Sequence, residues 1–141
     1  MCRSLVLIAR RALGRPYLRT ALTDNAPDFY NCLSLICWAL RQVGIEVLPR
    51  FRCLSTVGEH VADLGDLSGG EILFTSGQRN WYRGMGHVGL ATGTGTVIHA
   101  CYKQRQVVEV SLSKFMQGRE LRCARRISQE VALINLGTND E

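Results

Sequence analysis

No apolar run in this chain approaches the roughly 20 residues that a membrane-crossing helix needs, so a spanning helix is excluded. A secretory leader is not expected either. Residues 1–12 carry Arg3, Arg10 and Arg11, and the apolar stretch 5–9 is shorter than a leader's core. The localisation is thereby left unknown. The six cysteines stand at 2, 32, 37, 53, 101 and 123 with no CxxC pair. A reduced set of mostly buried thiols is expected rather than a disulfide framework. Repeats, low-complexity runs and linkers are also lacking. One domain is therefore expected over 1–141, with 128–141 peripheral and the polar stretch 135–141 fraying.

What is present is an ordinary apolar fraction, 46%, enough for a normal core. The net charge is +5, with Arg3, Arg10, Arg11, Arg15 and Arg19 near the start and Arg119, Arg122, Arg125 and Arg126 near the end. Such a surface suits an anionic partner (nucleic acid, phospholipid or a cell-wall polymer) or is simply a solvated face.

The spacing predicts a short helix over 4–13, broken at Gly14 and stopped before Pro16. A loop over 20–30 follows. Leu33, Ile36, Cys37, Leu40 and Val43 then recur at helical spacing, predicting a helix over 32–43 capped by Asn31 or Asp28 and ended by Gly44. A third helix is expected over 57–64, with His60 exposed on it. After Gly69-Gly70 the pattern turns to strands: 71–75, a hairpin of 87–92 and 96–102 joined at Gly93-Thr94-Gly95, then 106–110 and 121–127, with a helical turn over 112–116. Helices first and an antiparallel sheet afterwards make the class α+β.

Cys32 would open the second helix, and His87 and His99 lie on strands. This is the order of a thiol hydrolase. The positive helix end favours a thiolate, an imidazole on an adjacent strand takes the proton, and a third polar group orients it. The glycines beside His87 would leave room for substrate. A rival pattern uses Cys32, His87, His99 and Cys101 as zinc ligands, but no closely spaced ligand pair supports it.

These residues resemble the NlpC-like cell-wall peptidases over roughly 5–127. Leu13-Gly14-Arg15-Pro16-Tyr17 looks like the family's entry segment, and Asn31-Cys32-Leu33-Ser34-Leu35 like its nucleophile motif. Val43-Gly44-Ile45 with Leu48-Pro49-Arg50 matches its helix end. Residues 67–74 resemble the first core strand, with Glu71 where aspartate is usual. Gly86-His87-Val88-Gly89 resembles the base motif, Ile98-His99-Ala100 the third-residue motif, and Val107-Val108-Glu109-Val110 with Arg125-Arg126-Ile127 the closing strands.

The resemblance implies a papain-like fold and hydrolysis of an amide in the peptide stem of peptidoglycan. It implies Cys32 as nucleophile, His87 as base, His99 as orienter and Tyr17 as oxyanion support, with no metal or cofactor. Asn31 and Leu33 replace the aspartate and serine that help bind a free substrate amine in relatives, so weak discrimination for that amine is expected. Trp81 and Tyr82, on the loop 76–86, are candidate walls of the cleft, although Trp81 could instead pack on the sheet. The expected partners are stem peptides and, from the basic charge, an anionic wall polymer, without nucleic acid, and the protein is expected to be a monomer. The alternatives are a papain-like acyltransferase or lipid hydrolase, and a non-catalytic wall-binding or phage-tail assembly module.

Overall fold

A computed structural model of the chain describes residues 2–127; the expected tail over 128–141 lies outside the described residues. Helix α1 (Cys2–Arg10) buries Leu5, Val6, Ile8 and Ala9 along one stripe. It stops short of the expected 13, because the amides of Arg11, Ala12 and Leu13 reach back only three residues, to Ile8, Ala9 and Arg10. Bonds of that span tighten a helix end into turns.

Helix α2 (Cys32–Gln42) begins where expected, and Asn31 is its cap. Asn31 Oδ1 accepts the Ser34 N–H at 2.8 Å, while Ser34 Oγ accepts the Asn31 N–H at 2.9 Å. The reciprocal pair satisfies two donors that a helix start leaves open. Gly44, at φ 86°, turns the chain out of the helix. Leu35, Ile36, Ala39 and Leu40 are buried, each long apolar chain contributing about 1.5–3 kcal/mol.

The expected helix over 57–64 does not form. Helix α3 (Phe51–Leu54) comes earlier, and strand β1 (Glu59–His60) occupies that stretch, with His60 exposed. The reason lies far along the chain. Arg125 donates to the carbonyls of Thr56, Val57 and Gly58, the acceptors a helix would need for its own amides. Gly58 also holds φ 61°, with the Arg126 carbonyl against the space a side chain would fill.

Strands β2 (Ile72–Thr75), β3 (His87–Ala91), β4 (Thr96–Cys101), β5 (Gln106–Ser111) and β6 (Leu121–Arg126) complete an antiparallel sheet of order β1-β6-β2-β3-β4-β5. Alternation sorts its side chains. Ile72, Phe74, Val88, Leu90, Ile98, Ala100 and Val107 join the core beneath α1 and α2. Leu73, Ala91, Val97 and Ala124 pack on the other face with Phe115 from helix α4 (Leu112–Met116).

Glu71, wholly buried just before β2, accepts from the Ser68 and Gly69 amides and from Arg126. Burial raises its pKa, but those donors win and hold it below the ordinary value.

The two ladders of β4 are unequal. With β5 it pairs from Thr96↔Ser111 to Cys101↔Gln106; with β3 it pairs only at Leu90↔Ile98 and Ala91↔Val97. Beyond that point lie His87, Val88, His99 and Cys101.

Candidate active site

The Cys32 sulfur reaches the sheet where the β3–β4 ladder stops. Continued, the register would set Val88 opposite Ala100. The Val88 N–H is directed at the Cys32 sulfur instead, as are the Cys32 and Leu33 N–H groups at the start of α2. These amides and the charge of Arg119 favour a thiolate, but desolvation is the larger influence and pushes the thiol up to about 11. The expected lowering by the helix end is present and outweighed.

His87 Nε2 lies 2.9 Å from His99 Nδ1, with the rings nearly perpendicular at 88°. One of these nitrogens carries the hydrogen and the other accepts it, which leaves His87 Nδ1 for another partner. No hydrogen bond joins His87 to Cys32 among the described residues; the Val88 amide, one residue along, makes the approach. Phe115 supports both imidazoles, at 5.6 Å from His87 and 5.1 Å from His99 between ring centres. Burial, then Arg119, lowers His87 well below the ordinary 6.5 and takes His99 to about 4, so both rings are neutral at neutral pH.

The glycines flanking His87 do not open space for a substrate. A Cβ on Gly89 would stand 2.7 Å from Phe115 Cε1 and from Val97 Cγ1, and one on Gly86 would meet the Arg79 carbonyl and the Gly77 amide. The room is filled by the protein's own side chains and backbone, and Gly89 lets Phe115 reach the imidazoles. The zinc pattern also fails. Among the described residues no group of three or more His, Cys, Asp or Glu is placed to hold a metal.

Tyr17 is near the thiol. Its pKa is raised by burial and then by the field of Cys32, and its ring meets Tyr102 edge-on at 5.8 Å. Asn31 is fully engaged within the protein: besides the cap, its Nδ2 donates to the carbonyls of Arg19 at 3.0 Å and Ala21 at 2.9 Å. Leu33 and Tyr82 are half-buried against the main core. Trp81 does not pack on the sheet. It is 63% exposed, and Arg79 lies over its ring at 5.8 Å.

Sequence reasoning missed Arg119 and Phe115. Arg119 looked like one more member of a basic cluster, and nothing local marks Phe115 as the plate behind two imidazoles.

Fold and site define a class: α+β proteins of papain-like architecture whose sheet-packing helix begins with a cysteine. The model of the NlpC/P60 family matches residues 14–126, and the chain belongs to that family. A Corynebacterium glutamicum protein named "Probable endopeptidase" is 35% identical over 109 residues, covering 77% of this chain and 47% of that protein. A Mycobacterium tuberculosis protein, also named a "Probable endopeptidase", is 31% identical over 97 residues, 69% of this chain and 23% of its own length. The chain thus spans about half, or less, of these curated relatives. The NlpC/P60 domain of the peptidoglycan hydrolase SagA superposes with a TM-score of 0.72 at 22% identity, covering 90% of this chain and 99% of that one. NlpC2 from Trichomonas vaginalis gives 0.78 at 21% identity, over 89% and 45%. At such identities the likeness is one of fold.

Proposed function

We propose that the chain is a cysteine peptidase that hydrolyses an amide bond in the peptide stem of bacterial peptidoglycan. The observation that carries this is the His87–His99 pair, 2.9 Å apart, at the interrupted ladder where the Val88 amide approaches the Cys32 sulfur. The family membership and the relatives' names support the same chemistry.

At neutral pH the thiol and both imidazoles are uncharged. The Cys32 sulfur attacks the scissile carbonyl as its proton passes to His87, and His99 holds the imidazole through Nε2. The carbonyl electron pair moves to oxygen, where the Cys32 N–H and the Tyr17 hydroxyl receive the negative charge. Collapse of this intermediate expels the amine, which takes the proton from His87, and leaves a thioester. Water, deprotonated by His87, then releases the acid and restores the thiol. Leu33, Trp81 and Tyr82 contact the stem. Asn31 contributes through the cap it builds, since its amide is occupied.

The test is mass spectrometry of purified muropeptides incubated with the whole chain. Cleavage at one amide by the native protein, and none by Cys32→Ala, is the expected result. Retained cleavage in Cys32→Ala, or binding of muropeptide with no cleavage by the native chain, would remove the peptidase reading.

A further inference from the structure

Arg119 lies in the short link between α4 and β6. Its Nη1 donates to the Phe115 carbonyl at 2.8 Å, and its guanidinium carbon lies 5.5 Å from the centre of the Phe115 ring. His99 and His87 rest against that same ring at 5.1 and 5.6 Å. One aromatic plate thus gathers a cation and both imidazoles. The guanidinium is half-buried, and among the described residues no Asp or Glu pairs with it. Of the other half-buried arginines, Arg41 pairs with Glu46 at 2.6 Å and Arg126 with Glu71 at 3.0 Å, while Arg125 spends its donors on the carbonyls of Thr56, Val57 and Gly58. A guanidinium has five N–H donors. The Phe115 carbonyl uses one, and the rest have no acceptor among the described residues.

We propose that Arg119 binds a free carboxylate on the peptide substrate, holding a carboxylate-bearing residue beside the amide that Cys32 attacks. This rests on the hydrolase reading of the site. A carboxylate matches the planar fork of a guanidinium, whereas an amidated substrate offers only a neutral acceptor. The charge also has a second consequence. Arg119 opposes protonation of His87, so a carboxylate that neutralises it makes His87 a better base when the correct substrate is present.

Two alkylating agents test this without peptide turnover. Iodoacetate carries a carboxylate and iodoacetamide a neutral amide, and both alkylate Cys32 sulfur with loss of iodide. Rates at Cys32 are read by peptide mapping at pH 7, as the ratio of iodoacetate to iodoacetamide. A charge-assisted contact predicts a native ratio about tenfold above that of a small free thiol. That excess should vanish in Arg119→Gln and persist in part in Arg119→Lys. A native ratio equal to the small thiol's overturns the proposal whether or not any variant folds. Equal slowing of both reagents in Arg119→Gln also overturns it, because Arg119 would then serve only the thiolate. In a second arm, kcat/KM should fall about tenfold when the stem peptide's carboxylates are amidated, and Arg119→Gln should erase that difference. An alkylation preference without muropeptide cleavage would keep the carboxylate site and discard the hydrolase reading; cleavage indifferent to amidation would do the reverse.

Discussion

Strand β4 is closed on one edge and open on the other. Toward β5 its ladder runs its whole length, from Thr96 to Cys101; toward β3 it stops after Ile98. The closed edge is ordinary sheet, with Val107 and Ala100 buried between neighbours. The open edge gathers His87, His99 and the Cys32 sulfur. Backbone donors normally pair with backbone, so a freed amide such as that of Val88 can serve another acceptor. In this fold the site occupies the gap left by an interrupted ladder.

The sharpest break of that comparison is at the open edge. In His87→Ala, kcat/KM should fall by about 10^4 or more, with the fold retained. With its pKa near 11, Cys32 lacks a base in that variant, so its alkylation by iodoacetamide at pH 7 should also slow by about tenfold or more. In the native chain Cys32 should label faster than Cys37, whose thiol burial pushes up to about 12. Unchanged Cys32 labelling in His87→Ala would show that the imidazole does not serve this thiol.

Next come two substitutions that set one edge against the other. Gly89→Ala puts a methyl into Phe115, which must shift and carry the imidazoles with it. An overpacking cost of about 1–3 kcal/mol and a kcat lower by about a hundredfold are expected. Val107→Ala on the closed edge should cost about 2 kcal/mol of stability with kcat nearly unchanged. Urea midpoints and steady-state rates measure both. Equal kcat losses in the two variants would dissolve the contrast between edges.

The smallest effect is the response to acid. His99 is 4% exposed and its pKa is lowered to about 4 in the folded chain, against about 6.5 unfolded. A depressed folded pKa gives stability that is complete above 6.5 and is lost as pH falls through 4. At about 1.4 kcal/mol for each tenfold change in proton affinity, His99 accounts for about 3 kcal/mol. Glu71 and Glu109 are held below their ordinary values, so most of their loss comes at lower pH. Urea midpoints between pH 7 and 4 should fall in the native chain and fall less in His99→Gln. A flat native profile would contradict the neutral, buried pair.

Much of this was legible locally. The start of α2 followed from a cap and an apolar stripe, and the β3–β4 hairpin from Gly93-Thr94-Gly95 between alternating strands. Cys32, His87 and His99 were named as a set; the structure joins the two imidazoles at 2.9 Å and sets the Cys32 sulfur by the Val88 amide, with no hydrogen bond between His87 and Cys32 among the described residues. Less was legible where the cause is distant. Strand β1 is two exposed residues held by β6 and by the reach of Arg125, so no periodicity in 57–64 could reveal it. The glycines by His87 were misread because the occupants of their space, Phe115 and Val97 at Gly89 and the 77–79 backbone at Gly86, come from other segments. The thiol pKa went the other way from expectation because helix polarity is local, whereas desolvation depends on everything packed around the sulfur.

The amide of Asn31 has a consequence for how this sequence can change. Arg19 and Ala21 each direct a carbonyl at Nδ2. An aspartate there could still cap α2, but it has no hydrogens for those carbonyls and would set a negative charge against them. Position 31 and the 19–21 loop are therefore one unit of inheritance. An aspartate at position 31 is accommodated only if the loop turns its carbonyls away in the same step, and a double-mutant cycle across the two would measure a coupling where separate sites would simply add.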